Sequence, residues 1–309
     1  MKISISHLGA IDKATIDLKP LTVFIGENGT GKTWAAYTLS AIFGSYGYEK
    51  YIEAYSNGKT QKTYPPLDNA IQLLLDEGNA QIDMVQFAND YAETYINDVA
   101  RLAPAWMPTF MPTRRVNFDD LQVQIDLAAT KTAFLDKITA KTVDKKLSFG
   151  SQSKNALINA FKESGKTILY FYSEGEILKK LPEQVVKKFL AEQLFQIVHR
   201  TLYYRTIVFP TERTTFITFS FSSVEPNEKS VEEDEKIKPG RMVKPVGRFL
   251  HMIMRAANKS PTERKGQIIN NPKISDYVKL AEFLEIEILR VLLVMSLLMF
   301  LISILKYLQ

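Results

Sequence analysis

Residues 26–33 read Gly26-Glu27-Asn28-Gly29-Thr30-Gly31-Lys32-Thr33, which matches the phosphate-loop pattern GxxxxGK[ST] at every fixed position. Each residue type has a physical reason to be there. Gly26, Gly29 and Gly31 let backbone N–H groups turn toward an anion, with Asn28 and Thr30 completing the turn. Lys32 places a point charge on the β/γ-phosphates, and the Thr33 hydroxyl can ligate Mg²⁺. The flanks agree with this reading. Leu21-Thr22-Val23-Phe24-Ile25 is a short apolar run of β-formers that predicts a buried strand. Trp34 to Phe43 predicts a helix that stops near Gly44. A strand, a glycine turn and a helix together aim a helix N-terminus at an anion. The expected ligands are therefore ATP and Mg²⁺.

Outward from the loop, Ile3, Ile5 and Leu8, then Ala14, Ile16 and Leu18, alternate with polar residues and predict a hairpin on either side of Gly9. Gly44 to Pro66 is polar and tyrosine-rich, with a turn signal at Asn57-Gly58, and reads as an excursion. Leu67 to Leu102 has helical periodicity, broken into two helices at Gly78. Ala103 to Pro112, with Pro104, Pro108 and Pro112, is expected to be a loop. Val116 to Phe149 mixes short alternating segments, such as Leu121 to Ile125, with lysine-rich turns. Thr167 to Tyr172 predicts a buried strand, Pro182 to Tyr204 an amphipathic helix, and Arg205 to Pro210 a strand ended by proline. Pro226 to Pro245 is charge-rich and aperiodic, which predicts a loop. Phe249 to Ala257 and Ile274 to Ile288 are helical in pattern.

A chain of 309 residues can bury a substantial core. It contains no cysteine, which excludes disulfides and thiolate-bound zinc and suits a reducing cytoplasmic setting. His7, His199 and His251 are too scattered to suggest a metal site. A net charge of +5 is compatible with a nucleic acid or an acidic membrane and diagnostic of neither. Arg114-Arg115, Lys179-Lys180 and Lys187-Lys188 have the pattern of solvated faces.

The block Ile3 to Phe43 resembles the start of ABC-type AAA ATPases of the RecF/SMC/OLD group, bacterial P-loop proteins of DNA repair and phage defence. The hairpin and the run Leu21 to Thr33, with Glu27-Asn28-Gly29 inside the loop, carry that resemblance. Phe209-Pro210-Thr211-Glu212-Arg213 resembles a shorter element of the same group. The resemblance implies an α/β fold, a P-loop NTPase with an ABC-ATPase-like head and a mixed helical/β insertion. It implies a lobe over 1–45, an insertion over 46–204, and a return to the head over 205–289 with a loop at 224–246. It also implies ATP hydrolysis, two heads dimerising around ATP, and DNA or an effector or nuclease as partner.

Such a head also needs a signature helix and an apolar strand ending in Asp-Glu, whose carboxylates hold Mg²⁺ and polarise water. No such strand end is legible. The nearest candidate is a compressed version: Leu147 to Gln152 as a poor signature, a helix over Ala156 to Phe161, and the strand Ile168 to Tyr172 with Ser173-Glu174. The competing reading of this stretch is an ordinary hairpin and strand. Glu233-Asp234-Glu235 lies in a charge run and reads as solvated. Residues 290–309 open on Arg290 and then form a nearly continuous apolar run, Val291 to Leu305. Three readings stay open for it: an out-of-frame tail that truncates the head, a buried or dimer helix, and a short membrane anchor. The functional alternatives are a non-catalytic nucleotide-binding module completed by a partner chain and a tail-anchored ATPase. A P-loop kinase is disfavoured by Glu27-Asn28 and by the lack of a basic lid.

Overall fold

The computed structural model describes residues 1–19, 22–148, 157–173, 178, 181–203, 206, 208 and 244. The chain divides into two compact units, Met1–Pro108 with Thr113–Thr206, and Thr109–Pro112 with Ile207–Gln309. The described residues belong almost entirely to the first. The expected strand Arg205 to Pro210, the Phe209 to Arg213 patch, the loop 224–246, Glu233 to Glu235, the two C-terminal helices and the run 291–305 lie outside them, apart from isolated positions.

The first unit is mixed α/β with two antiparallel sheets. Strands β1 (Lys2–Leu8) and β2 (Ile11–Asp17) form the expected hairpin, with Ile3 opposite Ile16 and Leu8 opposite Ile11. β4 (Gln122–Asp126) pairs with the other edge of β1, giving the order β2-β1-β4. Helix α4 (Met84–Arg101) seals the free edge of β4. The Asn97 amide donates to the Ile125 carbonyl at 2.8 Å, and Ile125 N–H donates back to Asn97 Oδ1 at 2.8 Å. One side chain thus supplies the two bonds that a further strand would make.

The second sheet has the order β3-β7-β6-β5, from β3 (Asn79–Asp83), β5 (Val143–Leu147), β6 (Ile158–Lys162) and β7 (Ile168–Tyr172). Gly78, with φ of 77°, ends helix α3 (Pro65–Glu77) as expected. A five-residue strand then intervenes before α4. Ile82 therefore belongs to a strand, with Ala80 and Ile82 buried on one side. Asp83 ends that strand and caps α4 by accepting from Val85 and Gln86 N–H, both at 2.9 Å. The Thr167 to Tyr172 strand forms, but only Leu169 and Phe171 are buried. Tyr170 and Tyr172 face solvent, as expected of an antiparallel sheet with one covered face. Ile158–Lys162 is a strand antiparallel to β7, which rules out the signature helix over Ala156 to Phe161 and leaves the hairpin reading.

Three further helices form where the sequence reads as an excursion, a proline loop and alternating segments with turns. α2 (Ser45–Ser56) forms in the tyrosine-rich excursion because Tyr46, Tyr51, Ile52 and Tyr55 bury one face. α5 (Ala103–Phe110) accommodates Pro104 in its first turn, where no N–H is needed, and carries Pro108 inside. α6 (Lys131–Thr139) follows a short 3₁₀ turn and buries only Phe134 and Ile138. Its last carbonyl, and one just beyond the helix, are met from the second sheet. The buried Lys162 ammonium donates to Thr139 O at 3.0 Å and Lys141 O at 2.8 Å.

The expected long helix is α7 (Glu183–Leu202). Its Phe195 ring lies within 4.7–5.6 Å of the rings of Tyr51, Tyr55, Tyr64 and Tyr95, so α2, the start of α3, α4 and α7 share one aromatic core. One turn further along α7, His199 Nε2 lies 3.1 Å from Gly44 O and Nδ1 lies 3.0 Å from Tyr95 Oη. A carbonyl only accepts, so Nε2 carries the proton, Nδ1 accepts, and the Tyr95 hydroxyl donates. The ring is neutral because burial pushes its pKa down to about 4.

Between about pH 6.5 and 4 the unfolded chain binds a proton at His199 that the folded chain refuses. Stability is therefore complete above pH 6.5 and is lost as pH falls, by roughly 3 kcal/mol over that window. Urea denaturation across it is expected to show this slope, and His199→Gln to flatten it while lowering stability at pH 7.

Candidate phosphate-binding loop

Gly31 is the N-cap of helix α1 (Lys32–Ile42), in the left-handed region with φ of 84°. Gly26 and Gly29 also take positive φ, 140° and 82°. These conformations are open to glycine at little cost, which explains the two fixed glycines of the motif, Gly26 and Gly31, and the glycine at 29 between them. Asn28 and Gly29 form the turn, and residues 26–30 are exposed. A methyl group on Gly29 would meet nothing within 4 Å, so the loop presents open space there.

The helix begins without a side-chain cap and without an acidic residue in its first turn. Its first i→i−4 bond runs from Ala35 N to Gly31 O at 3.0 Å. The amides of Lys32, Thr33 and Trp34 therefore have no helical acceptor and carry the positive end of the macrodipole. Most helices place Ser, Thr, Asp or Asn at this position. Glycine leaves the amides available to an external anion.

Lys32 supplies the charge. Its ammonium donates to the Glu27 carbonyl and to Thr30 Oγ1, the latter at 3.2 Å, and Thr30 Oγ1 donates to Glu27 O at 3.0 Å. The lysine thus rests on acceptors of the loop it would serve. Thr33 begins the helix one residue later, half-buried, where its hydroxyl suits one Mg²⁺ position. The residues present fit a phosphate and its metal: amide donors, an ammonium and a hydroxyl on one short turn.

The scaffold behind the loop is the β1–β2 hairpin. A methyl group on Gly31 would lie 2.6 Å from Ile11 Cγ1, and one on Gly9 3.5 Å from Trp34 Cδ1. The hairpin turn is therefore packed against the first turn of α1. At its far end α1 meets α2, where a methyl on Gly47 would lie 2.6 Å from Ala41 O. His199 holds the connecting Gly44 carbonyl.

The segment before the loop departs from expectation. Thr22–Ile25 is not a strand, and Val23 and Ile25 are 71% and 87% exposed. A buried apolar strand needs a pairing strand and a covering layer, and neither stands over these side chains among the described residues. Thr22 instead turns locally, with Lys19 N donating to its hydroxyl at 3.1 Å.

Three strand-end aspartates stand among the described residues, each engaged elsewhere, and Glu174, the candidate after β7, lies outside the described residues. Asp17 pairs with Lys19 at 2.8 Å, Asp83 caps α4, and Asp126 accepts from Ala128 N–H at 2.8 Å. Asp17 and Asp126 both lie opposite Lys2, at the end of the sheet away from the hairpin turn. Six residues of strand separate Asp17 from Ile11, which is about 20 Å. Neither reaches the loop. A separate concavity of about 600 Å³ lies between α2 and α7. Glu49, Glu53 and Glu192 line it against Lys145 and Lys188, so it does not favour a phosphate. Among the described residues no cluster of His, Asp or Glu could hold a metal ion, and no helix is long and apolar enough to cross a membrane.

No family model, curated protein or solved structure matches the chain. The loop residues themselves were legible as a motif. Ile11, Gly44, Gly47 and His199, which hold the loop and its helix, carry no sequence signal beyond ordinary apolar or turn character.

Replacing Gly31 by alanine strains φ and drives a methyl into Ile11, so a loss of about 2–4 kcal/mol is expected. Gly29→Ala meets only the φ cost of about 1 kcal/mol. Adding Ile11→Ala to Gly31→Ala is expected to recover part of the loss, a coupling that a double-mutant cycle in urea measures.

Proposed function

We propose that the chain binds ATP with Mg²⁺ through residues 26–33, as the nucleotide-binding part of an ABC-type P-loop ATPase of the RecF/SMC/OLD kind. The observation that carries this reading is the uncapped N-terminus of α1. Its free amides, those of Lys32, Thr33 and Trp34, follow a left-handed glycine, and two of them belong to the residues whose side chains carry the ammonium and the hydroxyl. That arrangement supplies what a β-phosphate needs: several N–H donors, a helix dipole, an ammonium and a metal-side hydroxyl. On binding, the Lys32 ammonium exchanges Glu27 O and Thr30 Oγ1 for phosphate oxygens. A charge-assisted bond to a dianion is stronger than either of these.

A second reading is favoured by the strand-end aspartates. Asp17, Asp83 and Asp126 are committed to ion pairs and caps, and two of them stand at the wrong end of their sheet. The first unit thus supports nucleotide binding more than nucleotide cleavage. In this reading the carboxylates for Mg²⁺ and water are supplied by a further chain, and the protein acts as a nucleotide-dependent interaction module. Dimerisation around ATP, action on DNA and a nuclease or effector partner belong to the family resemblance and stand with it.

MgATP at a hundred times its dissociation constant is expected to stabilise the protein by about 2.7 kcal/mol, a rise of roughly 5 °C or more in midpoint. Lys32→Ala should abolish the rise, and Thr33→Ala should remove its dependence on Mg²⁺ while leaving weaker binding. Differential scanning fluorimetry reads all three; no shift in the wild type would sink the proposal. Phosphate release measured on the same samples separates the two readings, the module predicting binding without turnover.

A further inference from the structure

Helices α2 and α7 run antiparallel, with the concavity of about 600 Å³ between them. Three contacts set their direction. His199 Nε2 donates to Gly44 O at 3.1 Å, the Tyr48 hydroxyl donates to Glu192 O at 2.8 Å, and the Lys187 ammonium stands 4.8 Å from the centre of the Tyr55 ring. As α2 advances, its partners on α7 therefore recede. The α7 wall of the concavity is a polar stripe in which Gln184, Lys188, Glu192 and Gln196 recur at every fourth residue. The α2 wall presents Glu49, Glu53 and Ser56, with Ile52 buried among them. From Glu49 to Ser56 is about 10 Å of helix, the length of about three residues of extended chain.

Gln193 is the informative member of the lining. Its side chain is 8% exposed, and its amide has no hydrogen-bond partner among the described residues. A buried amide left unpaired is costly, so the place calls for a group that completes it. Gln196, half-buried and three residues on, is equally without a partner among the described residues. A side-chain amide offers a donor and an acceptor side by side, and the group that matches both is another amide. Charge narrows the ligand further. Glu49, Glu53 and Glu192 line the groove with Lys145 and Lys188, while Glu53 also holds Lys50 at 2.8 Å and Lys188 stands 3.8 Å from Glu192. With Lys50 counted the two signs balance, which favours neither a polyanion nor a polycation. Glu49 and Lys145 form no ion pair among the described residues, so one charge of each sign is left over. Tyr48 is the aromatic ring of the lining, and it packs on His199 at 5.7 Å with its hydroxyl spent on Glu192 O. The lining thus offers a sugar or a base little to stack on.

We propose that the groove between α2 and α7 binds an extended peptide segment of a partner protein. Gln193 and Gln196 pair with its backbone amides, which present a donor and an acceptor at each residue. Ile52 and Val185 meet a small apolar side chain, and Glu49 and Lys145 take one basic and one acidic side chain. The groove uses no residue of the phosphate loop, and its test needs no nucleotide.

A positional-scanning library of acetylated tetrapeptide amides, fluorophore-labelled and read by anisotropy against the full chain, tests this. Selected members are expected to carry a small apolar residue with one acidic and one basic neighbour. Gln193→Leu, which removes the amide and keeps most of the volume, should weaken the best of them about tenfold. Its thermal midpoint should hold or rise, since a buried unpaired amide has been removed. Glu49→Gln should erase the preference for the basic residue, and Lys145→Gln that for the acidic one. Nuclear magnetic resonance of the wild type reads the site without any substitution to the groove's partners: the side-chain amide signals of Gln193 and Gln196 should shift on adding the best tetrapeptide. The proposal is overturned if no member binds at ~1 mM, the weak limit of specific recognition. It is overturned as well if Gln193→Leu binds like wild type, if those amide signals stay still while others move, or if maltotriose binds more tightly than the best tetrapeptide.

Discussion

Helix α1 has to be held at both ends before its first amides can point anywhere in particular, and an aromatic ring at the centre of the unit makes this possible. Phe195 stacks on Tyr95 at 4.7 Å and meets Tyr51 edge-on at 5.3 Å, which fixes α7 against α4 and α2. From that fixed position His199 reaches the Gly44 carbonyl between α1 and α2. The C-terminal end of α1 is thereby anchored through a neutral imidazole with one proton and one assigned direction. The N-terminal end is anchored by Ile11, which fills the place a side chain on Gly31 would occupy. Dispersion and shape hold one end and a directed hydrogen bond the other. Neither anchor uses a charge, so screening by salt leaves both intact.

Several tyrosine hydroxyls of this core are paired in a way that limits alternatives. Tyr51 and Tyr64 share a 2.7 Å hydrogen bond, Tyr55 donates to Asp68, and Tyr48 donates to the Glu192 carbonyl. Burial raises the pKa of each of these hydroxyls, so they remain protonated donors throughout the range in which the protein is folded. A tyrosine core therefore specifies more than a phenylalanine core of the same volume. Each ring must both pack and place its hydroxyl, and a shifted helix would strand a buried donor at a cost of about 1–3 kcal/mol.

That same composition obscured part of the fold in the sequence. The hairpin, α1, α7 and the β7 strand were legible because Ile, Leu, Val and Phe mark one face at a clear period. α2 was not, because its buried face is Tyr46, Tyr51 and Tyr55, which count as polar punctuation in an apolar pattern. β3 was hidden because Ile82, Val85 and Phe87 continue a helical spacing across a boundary that Asp83 marks only through its capping bonds. α5 was hidden because its prolines fall where a short helix tolerates them. The loop was legible residue by residue, since GxxxxGK[ST] encodes local geometry. Its supports were not, because the contact between His199 and Gly44 spans 155 residues and leaves no periodic trace.

The exposed run before the loop shows that binding geometry and sheet formation are separable here. Burying Val23 and Ile25 would be worth roughly 1.5–3 kcal/mol each, so the run is left in a state that a pairing strand would stabilise. Yet the left-handed glycines, the uncapped amides and the placement of Lys32 are formed without it, because Ile11 and Gly44 hold α1 independently. The phosphate grip proposed here, built on a hairpin and a clamped helix, does not need a completed central sheet. Cleavage is different, since it requires a carboxylate at the end of a neighbouring strand. The aspartates that end β2, β3 and β4 are already engaged with Lys19, the α4 amides and Ala128. In the proposed reading the described residues supply the donors for a phosphate, while these three aspartates are held by other partners.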